Sequence, residues 1–382
     1  MKEKSLLGEP YLSFWNIEEK KVYDHIWNQL EDGMIKDINI NSFLYNNSLP
    51  LGQIHKSKPL FPKYLQINSG TIWNNEIYEL EQDLYTPKYI ENTSFRNFLK
   101  LSEKIFKELN AKKIGVHLSG GLDSGLIICL LKELNISFVP IGLKSKSFEF
   151  RTERKIQDIL INYGDSGELI DIEDYPYFSG INSIPAHQIP DDDIKSYASA
   201  VALAKAFHDK GCDIVISGQG GDTLLVDSFK YKEKTHYNID QEFKVPTQVY
   251  RVYAPMGIKL KSFYANKDII NFFYSARLGH QEDIYKKWVR NWAAKILPPE
   301  LSKFHYCADF FGLSMTGLNS AKPLIKLLFE EAYEFCNAHY FSPQQTKKFI
   351  EKDLFSFDQK EYINYCGLIS VASWIHSYNY NK

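Results

Sequence analysis

The stretch that most constrains this chain is Ile114 to Leu134, IGVHLSGGLDSGLIICLLKEL. Ile114, Val116 and Leu118 alternate as they would along a buried strand. Ser119-Gly120-Gly121 then supplies a turn in which side chains would obstruct the backbone. Leu122 to Leu134 follow with a nearly continuous apolar face, as on a helix packed against a sheet. A helix opening straight after such a turn aims unpaired N–H groups, and the positive end of its dipole, at one spot. That spot suits an anion, most often a phosphate, and Ser119 and Ser124 add hydroxyl donors. Asp123 would repel a phosphate unless a divalent cation lay between them, because hard cations take carboxylate and phosphate oxygens together. The plain alternative is a strand, a turn and a helix with no ligand.

A Walker A loop is excluded, since that motif needs four residues between its glycines and then Gly-Lys-Ser/Thr. The string SGGLDS instead resembles the pyrophosphate loop of the ATP pyrophosphatases that activate carbonyl groups as AMP derivatives. A second glycine-rich stretch, Ser217-Gly218-Gln219-Gly220-Gly221-Asp222, follows the apolar run Ile214-Val215-Ile216. Alone it would read as a turn. Paired with SGGLDS, its Asp222 becomes a second candidate ligand for the same cation.

The surrounding pattern alternates strand and helix. Strands are expected at 114–118, 137–142, 168–172 and 213–217, with helices at 123–134, about 151–163 and about 194–211. That order predicts a parallel sheet covered on both faces, with ligands at the carboxyl ends of its strands. Before it, Thr93 or Ser94 is expected to cap a helix running to about Asn110. Residues 1 to about 90 read as short strands broken by turns such as Pro50-Leu51-Gly52. A hairpin is expected between 64–67 and 71–73. From about 245 the spacing is mostly helical, at 268–278, 284–296, 321–335, 343–350 and 362–378.

Bulk properties narrow the function. With 382 residues the chain has room for two or three domains. Its 45 basic and 47 acidic residues leave a net charge of -2, which offers no electrostatic footprint for nucleic acid. The five cysteines form no C-x-x-C pair and fit a reducing cytosol. No membrane-length apolar run and no signal peptide is evident, so a cytoplasmic protein without membrane partners is expected.

With both glycine loops placed, the chain resembles the synthetase half of the asparagine synthetase family, which includes β-lactam synthetases and lasso peptide cyclases. The likeness runs from about Leu60 to the C-terminus. Leu60-Phe61-Pro62-Lys63-Tyr64-Leu65 looks like the end of the family's amino-terminal domain. Lys286-Lys287-Trp288-Val289-Arg290, Leu297-Pro298 and Phe310-Phe311-Gly312-Leu313 resemble its later motif series. The resemblance implies an α/β fold: a five-stranded parallel pyrophosphatase sheet with a helical C-terminal extension (93–382), after a small β-rich domain (1–92).

The same resemblance implies the site. Leu118, Ser119, Gly120, Gly121, Asp123 and Ser124 would hold ATP, with Gly142, Leu143, Ser217, Gly218, Gly220 and Gly221 lining the nucleotide site. Asp123 and Asp222 would bind Mg2+. Lys286, with Arg290 and Gln219, would form the catalytic set, Lys286 meeting negative charge that develops in the transition state. Lys287 is a rival one residue along.

Three departures shape the expected reaction. Family glutaminases carry a Cys nucleophile after the initiator Met, whereas position 2 here is Lys, so glutamine hydrolysis by that machinery is not expected. Gln219 stands where asparagine synthetases carry Glu, and it does not titrate, so it is no general base. Lys259 stands where a Gly-x-Glu is common. The expected function is AMP-forming joining of a small-molecule or peptide carboxylate to an amine, as in lactam or macrolactam formation. An ammonia-dependent asparagine synthetase-like enzyme and a nucleotide-binding pseudoenzyme are the alternatives. A partner protein or a homo-oligomer is open.

Overall fold

The computed structural model describes residues 84–185, 190, 192–225, 236–237, 239, 243, 252–278, 286–303, 310–352, 357 and 359–380, together with six short strands before residue 84. The segment Leu60–Lys63, the turn at Pro50–Gly52, Ile284 and Cys307 lie outside the described residues. The chain divides into two compact units. One comprises Leu84–Tyr175 and Ser199–Asp309; the other comprises Met1–Asp83, Pro176–Ala198 and Phe310–Lys382.

The six leading strands are β1 (Lys2–Lys4), β2 (Ser13–Asn16), β3 (Lys21–Tyr23), β4 (Tyr64–Ile67), β5 (Thr71–Asn74) and β6 (Glu79–Gln82). They pair antiparallel in two sheets, β1-β5-β6 and β3-β2-β4. The expected hairpin is corrected here: both of its strands form, but β4 pairs with β2 while β5 pairs with β1 and β6. Short-range turn signals identify strand ends and leave the choice of partner to longer-range packing.

The other unit is built on a parallel sheet of five strands, β7 (Ile114–His117), β8 (Val139–Lys144), β9 (Glu168–Asp171), β10 (Ile214–Ser217) and β11 (Lys259–Ser262). Their order is β11-β10-β7-β8-β9, all neighbours parallel. The chain therefore runs from β7 outward to β8 and β9, then returns to β10 on the other side of β7. That reversal is a topological switch point, where the loops leaving β7 and β10 diverge and open a crevice.

The fifth strand lies inside the span expected to be helical. Lys259-Leu260-Lys261-Ser262 is an edge strand with Lys259 and Lys261 exposed. It lacks the continuous apolar run of a strand buried on both faces, so periodicity does not reveal it.

Helices α1 (Phe95–Glu108), α2 (Leu122–Glu133), α3 (Arg151–Leu160) and α4 (Tyr197–Asp209) fall close to their expected positions. Ser94 occupies the N-cap of α1, but without a side-chain cap hydrogen bond. Helix α2 is buried almost all round, with Leu126, Ile127, Ile128, Leu130 and Leu131 fully enclosed. Each such side chain contributes about 2 kcal/mol. This explains why its sequence shows an apolar run and no stripe.

After the short helix α5 (Gly221–Leu225) come α6 (Lys267–Leu278), α7 (Lys287–Trp292) and α8 (Pro299–Ser302). Helix α7 is much shorter than the helix expected over 284–296. Around Phe98, an aromatic cluster of Phe263, Phe272, Phe273 and Trp292 ties α1 to α6 and α7. In the other unit, α9 (Phe310–Cys336), α10 (Pro343–Glu351) and α11 (Gln359–Tyr380) share an apolar core that includes Phe329, Phe349 and Trp374. The Phe310–Leu313 motif lies at the start of α9.

Candidate active site

Both glycine loops sit at the switch point. The first leaves β7 and enters α2, whose N-cap is Gly121. Gly120 has a φ of 82°, and a Cβ there would lie 2.7 Å from the Glu153 carbonyl oxygen. Glycine is thus required twice over, by backbone conformation and by space. Gly121 is open by contrast: a Cβ there would meet nothing closer than the Ser119 hydroxyl at 3.4 Å. The two serines brace the turn. Ser119 Oγ and Ser124 Oγ are 2.8 Å apart, and the Gly121 N–H donates to Ser119 Oγ at 3.2 Å.

The second loop leaves β10 and lies directly against the first turn of α2. A Cβ on Gly218 would come within 2.9 Å of the Ser124 nitrogen, and one on Gly221 within 2.4 Å of Asp123 Cγ. These two glycines allow the loops to touch, which brings Asp222 beside Asp123. Ser217 is buried at the end of β10, while Gln219 is exposed. Gly220, at φ 81°, follows Gln219 and turns the loop toward Gly221 and Asp222.

Lys286 joins the two acids. Its Nζ donates to Asp123 Oδ1 at 2.5 Å, to Asp123 Oδ2 at 2.8 Å and to Asp222 Oδ1 at 2.6 Å. The lysine side chain is 4% exposed, that of Asp123 19% and that of Asp222 73%. Burial pushes the Asp123 carboxyl above the usual carboxylate range, the Lys286 ammonium pulls it down, and Asp222 pushes it up. The Arg290 guanidinium, one turn after Lys286, also pulls it down. Lys286 precedes α7 with φ 53° and ψ 22°, a left-handed conformation that costs a non-glycine residue roughly 1–2 kcal/mol. Lys287 is half-buried and opens the helix proper.

The structure thus brings together Asp123, Asp222, Lys286 and the two loops. Gly142 and Leu143 lie at the end of the neighbouring strand β8. Lys259 is placed at the exposed start of β11, paired in register with Ile214. Among the described residues, no three or more His, Cys, Asp or Glu side chains cluster as a metal site.

Three supporting side chains were not singled out from the sequence. Tyr264, fully buried, donates its hydroxyl to the Asp123 carbonyl oxygen at 3.0 Å. Ser262, at the end of β11, donates to the Gln219 carbonyl oxygen at 2.6 Å. Gln157, on α3, reaches the carbonyl oxygens of Leu118 and Leu143. Only Gln157 left a trace: it falls on the buried face of its helix with Glu153, Ile156 and Leu160, and a polar residue at a core position needs a partner.

Residues 109–309, more than half of the chain, match the family described as Asparagine synthase. The chain belongs to the asparagine synthase family. No curated protein matches it. Among solved structures it is similar to an NMN synthetase from Francisella tularensis, at 13% identity, covering 59% of this chain and 92% of that one. The TM-score is 0.26. Among the described residues, no helix of this family member is long and apolar enough to cross a membrane.

Proposed function

We propose that the chain is an AMP-forming amide ligase: it activates a carboxylate with ATP and transfers the acyl group to an amine. The observation that carries this reading is the convergence of Asp123 and Asp222 on one buried cation, Lys286 Nζ, at the mouth of two glycine loops. Two carboxylates that meet on a cation-sized position suit Mg2+, which keeps few protein ligands and takes the rest from phosphate and water. Asp123 and Asp222 would hold it, and when bound it would neutralise charge on the departing pyrophosphate.

In the first step a carboxylate oxygen attacks the α-phosphorus of ATP, and the bond from that phosphorus to pyrophosphate breaks. In the second, the amine attacks the acyl carbon, loses a proton, and AMP leaves with the electrons of the acyl–oxygen bond. Lys286 would stabilise the negative charge that grows in both steps. Gly120, Gly121, Ser119 and Ser124 would receive the phosphates at the amino end of α2. Gln219 would not act as a base.

The substrates are a small-molecule or peptide carboxylate and an amine, either in one molecule, as in lactam or macrolactam formation in specialised metabolism, or in two molecules joined as an open-chain amide. A cytoplasmic setting, where ATP is abundant, belongs to the same reading. The test is pyrophosphate release from ATP and Mg2+ across a panel of amino-acid and peptide carboxylates. Release that depends on the carboxylate, with AMP formed in equal amount, supports the reading. ADP and phosphate as products, or no carboxylate dependence across the panel, would sink it.

A further inference from the structure

Strands β7 and β8 part company at their carboxyl ends. Their pairing runs as far as His117 opposite Ile141, and the Leu118 N–H still donates to the Ile141 carbonyl oxygen at 2.8 Å. Beyond that point β8 stays with β9 through Lys144, while β7 turns into the glycine loop. Carbonyls two residues apart on a strand face the same neighbour. The Leu143 carbonyl therefore points to where β7 would have continued, and the Leu118 carbonyl lies across the same fork. Gly142 makes the close approach possible, since a Cβ there would lie 1.9 Å from the Leu118 oxygen.

Gln157 closes the fork. Its side chain is buried, and its Nε2 donates to Leu118 O at 3.1 Å and to Leu143 O at 2.7 Å. The same helix, α3, supports two neighbouring pieces. The Glu153 backbone lies against Gly120, and Arg154 donates to the carbonyl oxygens of Ser145 and Ser147, the latter at 2.6 Å. One helix face thus fixes the glycine loop, the fork and the segment after β8.

We infer that Gln157 is a positioning residue for nucleotide: its amide sets the separation of the β7 and β8 ends and so preforms the crevice in which the nucleotide is held. The inference rests on the ATP reading above. An amide with both hydrogens committed to two carbonyls, one buried and one half-buried, fixes two backbone segments at once. Without it the carbonyls lose their donor and the strand ends move to find others.

The experiment is titration calorimetry of the full chain with α,β-methylene ATP and Mg2+, an analogue that cannot lose pyrophosphate, alongside thermal midpoints. Gln157→Met keeps the length and removes the donor; Gln157→Asn keeps the amide and is one methylene too short to span both carbonyls. Leu160→Ala is the control, a fully buried apolar residue on the same helix. Both Gln157 variants are expected to bind about tenfold more weakly, the equivalent of one good hydrogen bond. Leu160→Ala is expected to lower the midpoint at least as far while its affinity stays within about threefold of the parent. If Gln157→Asn binds like the parent, or Leu160→Ala weakens binding equally, Gln157 is structural only and the inference fails. If the unsubstituted protein binds no analogue, the nucleotide reading itself fails, a result distinct from either.

Discussion

Lys286 grips Asp123 by both carboxylate oxygens, at 2.5 and 2.8 Å, while its neighbour Lys287 is the half-buried first residue of α7. The sequence leaves these two lysines as rivals, and the geometry separates their surroundings. A cation among two acids at the loop mouth can meet charge that develops on a phosphate or acyl oxygen; a half-buried lysine at the start of α7 is less well placed. Lys286→Ala is expected to lower amide-forming turnover about a hundredfold to a thousandfold. Lys287→Ala is expected to stay within about twofold. Steady-state pyrophosphate release checks both, and a crippled Lys287→Ala beside an active Lys286→Ala would reverse the assignment.

Asp123 and Asp222 are expected to separate function from stability. Asp123→Asn leaves the enclosed Lys286 ammonium with its better-buried charged partner gone, which costs about 3 kcal/mol. Asp222 is 73% exposed at its side chain, so Asp222→Asn is expected to cost less than about 1 kcal/mol. Both are expected to lose pyrophosphate release, because in the proposed reaction the two acids would hold the metal ion together. Denaturant midpoints beside the pyrophosphate assay give the comparison. An active Asp222→Asn would reduce the second loop to a structural turn.

How much was legible follows from where each signal is stored. The loops at 119–124 and 217–222 are local: glycines, an acid and the strand-then-helix context sit within a few residues. The helices α1 to α4 show their periodicity or apolar runs in the same way. What local pattern does not carry is partnership. Nothing in Tyr64–Ile67 or Thr71–Asn74 says which strands they pair with, and Lys259–Ser262 is an edge strand whose lysines hide it. The contacts of Gln157 and Tyr264 with loop carbonyls join residues 14 to 141 positions apart. Such pairs appear only once the sheet order is known.

Gly142 offers a steric test of the crevice. A Cβ at this position would lie 1.9 Å from a backbone oxygen, which cannot rotate away as a side chain would. Gly142→Ala is expected to lower stability by about 2 kcal/mol or more and to weaken nucleotide binding. Gly211→Ala is the contrast: its φ is 75°, but a Cβ there would meet nothing within 4 Å. Its cost is conformational only, roughly 1 kcal/mol, and nucleotide affinity is expected to be unchanged. Thermal midpoints and analogue titration distinguish the two. A Gly142→Ala protein as stable as Gly211→Ala would show that the strand ends are not held as close as described.

His117 sets the expected response to acid. It lies at the end of β7, its Nε2 2.6 Å from the hydroxyl of Tyr253, with the ring against Phe207. Burial lowers its pKa from 6.5 to about 4. The unfolded chain, with an ordinary histidine, therefore binds a proton between those values that the folded chain does not. Stability from this group is complete above pH 6.5, declines as the pH falls toward 4, and levels off below it. Over the whole window the loss amounts to roughly 3 kcal/mol. His117→Gln can still hydrogen-bond to Tyr253 but does not titrate. Urea midpoints at pH 7.5, 5.5 and 4.5 are expected to fall more steeply for the unsubstituted protein than for this variant. Parallel curves for the two would mean that His117 takes up its proton in the folded state as easily as in the unfolded one.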